Sequence, residues 1–220
     1  HSKVTFRLND GFRVLKLTEH EDQEPKVAHT LNCRSSTLPI CPQVFGSAWC
    51  EVLDESENIS SRWFAWVAEY TKPLNKYMRE PGASIGGCVL KALYAQIKAA
   101  QHGLVLSDNN MFNFGVKSIA WSAEQPVVKW YVVILDIGSR DVEPMGSISK
   151  SSLNSKAIKR WWWKLKLQCS DQDEVQKVRD LWQWDHTLDD AAQKVEKAIF
   201  DISVAQPENG VPIVDNIEDF

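Results

Sequence analysis

Two short runs of alternating character meet at Asn9-Asp10-Gly11, and this junction constrains the fold more than any other part of the sequence. Between Lys3 and Leu8, the apolar Val4, Phe6 and Leu8 alternate with Lys3, Thr5 and Arg7, as in a strand with one face on a core. Asn or Asp followed by Gly readily takes the positive φ angles of a tight turn, so the chain is predicted to double back there. The return strand Phe12 to Thr18 then places Phe12, Val14, Lys16 and Thr18 on one face, with Arg13, Leu15 and Leu17 on the other. Lys16 thus stands among apolar neighbours in mid-strand. Such a lysine either snorkels to the surface or serves a site.

The following segments extend an antiparallel, strand-rich plan. Glu24-Pro25 suits a helix entry, with proline in the first turn, and Val27, Ala28 and Leu31 follow Glu24 on one helical face. Pro39 and Pro42 interrupt regular structure across 35–42. Residues 43–53 and 62–70 are rich in aromatic and β-branched side chains around a polar linker, and read as a long hairpin.

After Pro73 the character changes. Residues 74–78 suit one helical turn, and 84–101 a longer helix with Ile85, Val89, Leu93 and Ile97 at i, i+4 spacing, ended by His102-Gly103. Two strand-like pieces follow at 111–119 and 127–135, then helical periodicity at 156–167, 174–184 and 187–202. In the last of these Leu188, Ala191, Ala192, Val195, Ala198 and Ile199 line one stripe.

This plan brings out three polar residues near strand-like segments. Asp108 and Asn113 stand in the loop after the long helix, and Asp136 ends the strand-like run Val132-Val133-Ile134-Leu135. Carboxylate and amide oxygens in loops beside strands suit a hard cation such as Mg²⁺, and with it a phosphate-bearing nucleotide.

In that order of elements the chain resembles the protein-kinase-like superfamily over roughly residues 1–140, in an atypical, minimal form. Arg13-Val14-Leu15-Lys16 is similar to the strand motif whose lysine binds the ATP phosphates, and Glu24 to the helix glutamate that pairs with it. Ala68-Glu69-Tyr70-Thr71 resembles the connector that binds adenine, with Ala68 in the gatekeeper position. His102 through Asn113 resembles the catalytic loop D-x-x-x-x-N, and Asp136-Ile137-Gly138 the D-F-G metal-binding turn.

The resemblance implies an α+β, two-lobed protein-kinase-like fold: a strand-rich N-lobe with one helix over 1–70, a reduced helical C-lobe over 71–206, and an acidic tail over 207–220. It also implies a Mg²⁺-dependent kinase with ATP as cofactor. Lys16 and Asp108 would be catalytic, Asn113 and Asp136 metal ligands, and Val14, Lys16, Glu24, Glu69 and Thr71 nucleotide contacts.

The departures from the family pattern fall in the same loop. Leu106 and Ser107 replace the His and Arg of H-R-D, so control through a phosphorylated activation loop is not expected; Asn110 stands where many protein kinases have a lysine. No A-P-E triplet follows Gly138. No glycine-rich loop is visible either: the first strand and that loop are expected upstream, with Ser2-Lys3-Val4 as its end. A chain beginning at His1 is expected to be a fragment or a processed form.

Three readings therefore stay open: an atypical protein kinase acting on a protein hydroxyl, a small-molecule phosphotransferase of the aminoglycoside or choline kinase type, and a pseudokinase that binds or scaffolds. A nucleotide and a protein substrate are the expected partners.

Composition narrows the remaining classes. A formal net charge of −4 disfavours nucleic acid, and no apolar run approaches the roughly 18 residues of a membrane span. The basic, tryptophan-rich 156–166, with Trp161, Trp162 and Trp163, reads for the same reason as an amphipathic helix packed in the second lobe. The five cysteines are Cys33, Cys41, Cys50, Cys88 and Cys169, too few and too widely spaced for a disulfide framework. Reduced thiols in a cytoplasmic-type setting, or in a protein delivered to a cytosol, are the expectation.

Overall fold

A computed structural model describes residues 3–35, 38–56, 58–106, 111–119, 129–137, 176 and 188–205. The opening alternation forms β1 (Val4–Arg7) and β2 (Arg13–Thr18), paired antiparallel with Val4 opposite Leu17 and Thr5 opposite Lys16. Gly11 at the turn has φ +73°, and the Asp10 carboxylate accepts the backbone N–H groups of Phe12 and Arg13 at 2.9 and 3.1 Å. Helix α1 (Glu24–Arg34) follows, with Pro25 in its first turn and Ala28 and Leu31 buried. The long hairpin is β3 (Val44–Leu53) and β4 (Ile59–Glu69), with a shorter turn than the polar linker suggests because β4 already begins at Ile59.

These strands form one antiparallel sheet in the order β1-β2-β4-β3. Lys16 pairs across with Trp66, and Val14 with Ala68. Residues directly opposite one another in an antiparallel pair share a face. Val14, Phe64, Trp66 and Ala68 accordingly make a small buried cluster on the side that carries Lys16.

The connector after the sheet is not a free loop. Lys72–Pro73 form a short strand β5, followed by α2 (Leu74–Tyr77) and α3 (Ile85–Gln101), whose Ser84 cap accepts the Gly87 N–H at 3.0 Å. Gly103 ends this region with φ +91°. The run 111–119 divides: Met111–Asn113 is a 3₁₀ turn and only Phe114–Ile119 is strand β6, which pairs with β5 on one side and with β7 (Lys129–Ile134) on the other. Helix α4 (Leu188–Ala205) lays Ala191, Ala192 and Val195 into the core with α3. The segments expected as helices at 156–167 and 174–184, and the tail from 207, lie outside the described residues, save Gln176.

The α+β class and the strand-rich first part with one helix are as the sequence implies; the second part carries a small sheet as well as helices. Its core takes in α1. Ala28, Leu31, Ile40 and Cys41 belong to the same buried cluster as α3, β6 and β7. Asn32 makes the join: its side chain accepts the N–H groups of Ile40 and Cys41, both at 3.0 Å, and donates to the Cys41 carbonyl at 2.9 Å. Ile40 in turn accepts the Ile134 N–H of β7 at 2.9 Å. The helix that begins at Glu24 is thereby fixed to the strand that runs into Asp136.

The start of β6 leaves no room for a side chain. A Cβ on Gly115 would lie 2.8 Å from Leu135 Cδ2 and 3.0 Å from Thr71 Cβ. Gly115→Ala is expected to destabilise the protein by about 1–3 kcal/mol through overpacking, read as a lowered midpoint in denaturant unfolding. An unchanged midpoint would mean that Thr71 and Leu135 are not packed as described.

Candidate nucleotide site

The face of β2 that carries Lys16 looks toward the N-terminus of α1 and the end of β7. The Lys16 ammonium is bonded to Glu24 Oε1 and donates to the Leu135 carbonyl at 2.7 Å. Glu24 is nearly inaccessible, with 6% of its side chain exposed. A carboxylate so buried needs a partner, and it has two: Lys3 Nζ approaches its other oxygen, Oε2, at 2.6 Å.

Lys3 also reaches Asp136 Oδ1 at 2.6 Å, and Asp22 Oδ2 at 3.4 Å. Its place follows from the register. Thr5 faces Lys16 and the side-chain period is two, so Lys3 points to the same side as Lys16. Both ammonium groups lie over the Trp66 ring, at 5.3 and 5.9 Å from its centroid.

Asp136, with 48% of its side chain exposed, is the member open to solvent. Partial burial would raise its pKa, but the facing Lys3, with Lys16 behind it, holds the carboxyl below its ordinary value. For Lys3 the same balance runs the other way: burial disfavours its charge, and Glu24 and Asp136 overcome that and raise its pKa. Both groups are therefore charged at neutral pH.

The remaining predicted residues divide. Asn113 closes the 3₁₀ turn, and its carbonyl accepts the Leu135 N–H at 2.8 Å, so it is fixed one residue from Asp136. Val14 is buried opposite Ala68. The Glu69 carboxylate is engaged away from Lys16, accepting Lys117 Nζ at 2.6 Å and the Gln43 N–H at 3.3 Å. Thr71 is buried against Gly115, and its Oγ1 has no hydrogen-bond partner among the described residues. Asp108, with Ser107 and Asn110, lies outside the described residues, as does Gly138. The structure thus brings together the side chains of Lys16 and Glu24 beside Asp136, with the Asn113 backbone carbonyl on Leu135.

Lys3 is the participant that the sequence reading left aside as the end of a loop. The signal was available: counting the hairpin register back from Gly11 puts Lys3 on the face of Lys16.

Among the described residues no three His, Cys, Asp or Glu side chains gather as a metal-holding group. The donor set nevertheless suits a hard cation. The Lys3 ammonium acts as a stand-in, held 2.6 Å from one oxygen of each of two carboxylates. Asp136 would offer such a cation its solvent-facing carboxylate, leaving the other positions to phosphate and water.

The described cysteines, Cys33, Cys41, Cys50 and Cys88, are all free thiols, and burial pushes the Cys41 pKa up, which keeps it protonated and inert. No helix among the described residues is long and apolar enough to cross a membrane.

No protein-family profile matches the chain, and no curated protein sequence does. Solved structures similar to it include the following two. WaaP in complex with acyl carrier protein has 12% identity and a TM-score of 0.49, over 91% of this chain and 84% of that one. The Neurospora crassa PAN3 pseudokinase has 9% identity and a TM-score of 0.44, over 93% of this chain and 64% of that one. At such low identity the chemistry has to be read from this chain's own side chains.

Proposed function

We propose that the chain is an atypical kinase that binds ATP with Mg²⁺ and transfers the γ-phosphoryl group to a protein hydroxyl. One observation carries the reading: Lys16 is joined on one side to buried Glu24 and on the other to the carbonyl of Leu135, the residue before Asp136. A lysine, its carboxylate and a second, solvent-facing carboxylate thereby come from a strand, a helix and a loop to one point.

In this reading Lys16 orients the α- and β-phosphates, and Glu24 keeps the lysine extended. Asp136 and the Asn113 amide supply oxygen ligands, and bound Mg²⁺ neutralises charge on the phosphates. Asp108 accepts the proton of the attacking hydroxyl as the O–P bond forms and the bond to the leaving nucleotide breaks. Val14 and Ala68 form an apolar floor for the base beside the 69–71 connector, whose Glu69 and Tyr70 N–H groups are held by the Gln43 and Phe12 carbonyls. Most of the rate enhancement would come from positioning and electrostatics.

A second reading has an observation of its own. Asp136 is already neutralised by Lys3, an arrangement that suits a nucleotide-binding module without turnover. Transfer of radiolabelled phosphate from ATP, compared among wild type, Asp108→Ala and Asp136→Ala, separates the two. Label in protein that both variants lose supports the kinase, and label in small molecules redirects the acceptor. Nucleotide binding without transfer supports the binding module. Failure to bind nucleotide with Mg²⁺ would exclude both.

A further inference from the structure

The second lysine has no part in the kinase reading above, yet it holds the central position in the cluster. Lys3 Nζ joins Glu24 Oε2 and Asp136 Oδ1, both at 2.6 Å, so Glu24 carries one ammonium on each oxygen. Of the residues in this arrangement Glu24 is sealed, with 6% of its side chain exposed, whereas Lys3 keeps 22% and Asp136 48%. The solvent-facing end is therefore the Lys3–Asp136 contact. That contact is the one that a cation taken up by Asp136 has to break.

Charge counting indicates what happens when it breaks. With Asp136 engaged by a divalent cation, Lys3 and Lys16 are left with Glu24 and, 3.4 Å from Lys3, Asp22. Lys3 then loses the closer of its two carboxylate contacts outside Glu24, 2.6 Å to Asp136 against 3.4 Å to Asp22. An ammonium carries three N–H donors, and the one that Asp136 releases takes another oxygen acceptor, because a partly desolvated donor left without one is costly. Trp66 beneath both ammonium groups, at 5.3 Å from Lys3, prevents retreat into the sheet and leaves the phosphate side as the way out.

We propose that Lys3 is a second phosphate-binding residue of this site: it pairs with Asp136 while the site is free and turns onto the nucleotide phosphates when a divalent cation takes Asp136. The inference rests on the nucleotide reading above and adds to it a residue and an order of events. Lys16 holds the phosphates from the sheet, and Lys3 closes over them from the β1 edge. Lys3 is also the internal competitor of the metal, so free Mg²⁺ binds weakly until nucleotide supplies Lys3 with another partner.

The test compares wild type, Lys3→Met and Lys3→Arg for binding of adenosine, ADP and ATP at fixed Mg²⁺, by calorimetry. Lys3→Met is expected to weaken ADP and ATP about tenfold or more, as for loss of one charge-assisted hydrogen bond, and to leave adenosine unchanged. Lys3→Arg is expected to keep most of the nucleotide affinity, because a guanidinium also donates to phosphate. Mg²⁺ alone is expected to bind Lys3→Met more tightly than wild type, since Asp136 has lost its competitor.

Equal weakening of all three ligands would show a collapsed pocket and overturn the phosphate role. ADP and ATP binding equal to wild type in Lys3→Met would overturn it as well, with the nucleotide reading intact. Wild type that binds neither ADP nor ATP would remove the nucleotide reading and this inference together.

Discussion

Asp136→Ala is expected to lower phosphoryl transfer by about 10³-fold or more, the size of effect seen when a preorganised electrostatic group is removed from a reacting phosphate or oxyanion. Asp136 is the carboxylate that is both next to the Lys16 anchor at Leu135 and open to solvent, with 48% of its side chain exposed. Asn113 stands one residue from it across the Leu135 hydrogen bond and supplies a neutral amide, which by itself holds Mg²⁺ poorly.

The same substitution should leave the fold nearly intact, because a half-exposed ion pair contributes only about 0–1 kcal/mol. Transfer assays with labelled ATP, run beside thermal unfolding, test both parts. An Asp136→Ala protein that retains transfer would refute the assignment of Asp136 as metal ligand. One that no longer folds would place Asp136 among the structural residues instead.

Glu24→Ala should act mainly on stability. Its carboxylate lies at the start of α1, nearly inaccessible, with an ammonium on each oxygen. Removing it leaves Lys16 and Lys3 partly buried with one carboxylate fewer, and breaking a buried pair from one side costs about 3 kcal/mol or more. Glu24→Gln keeps the shape and two hydrogen-bonding positions, and should cost less. Denaturant unfolding of the two variants measures the difference. A Glu24→Ala protein as stable as wild type would mean that the cluster is better solvated than its burial indicates.

The pH range of this stability follows from two shifts of opposite kind. Asp136 is depressed in the fold, so its contribution is present above the ordinary aspartate value of about 3.9 and fades as pH falls through the lower folded value. Lys3 is raised, so its contribution is present below the ordinary lysine value of about 10.4 and fades as pH rises through the higher folded value. Between about pH 5 and pH 9 the cluster should therefore contribute evenly. A cluster contribution that changed steeply across that window would point to a different set of charged groups.

The sequence by itself determined the local elements and the residue types of half the site. Alternation about Asn9-Asp10-Gly11 specifies β1 and β2, because side-chain direction in a strand has period two and the turn residues accept a positive φ. The apolar stripe that follows Glu24-Pro25 specifies α1, and Ser84 through Gly103 specifies α3 with both of its ends. Once these elements are in order, the resemblance to the kinase motifs picks out Lys16 in mid-strand, Glu24 at a helix start and Asp136 at the end of an apolar run.

What the sequence could not decide is which charges meet. Lys3 and Asp136 are 133 positions apart, and their contact exists because Asn32, Ile40 and Ile134 tie α1 to β7. The 3₁₀ turn at Met111–Asn113, the pairing of Lys72–Pro73 as a strand, and the spending of the Glu69 carboxylate on Lys117 have the same origin. Each depends on a partner brought near by packing, and periodicity carries information only about a residue's own neighbours. Local order comes from backbone geometry and the hydrophobic pattern. The pairing of buried charges was left to the tertiary structure, because it is fixed by desolvation, which acts only after the core has closed around them.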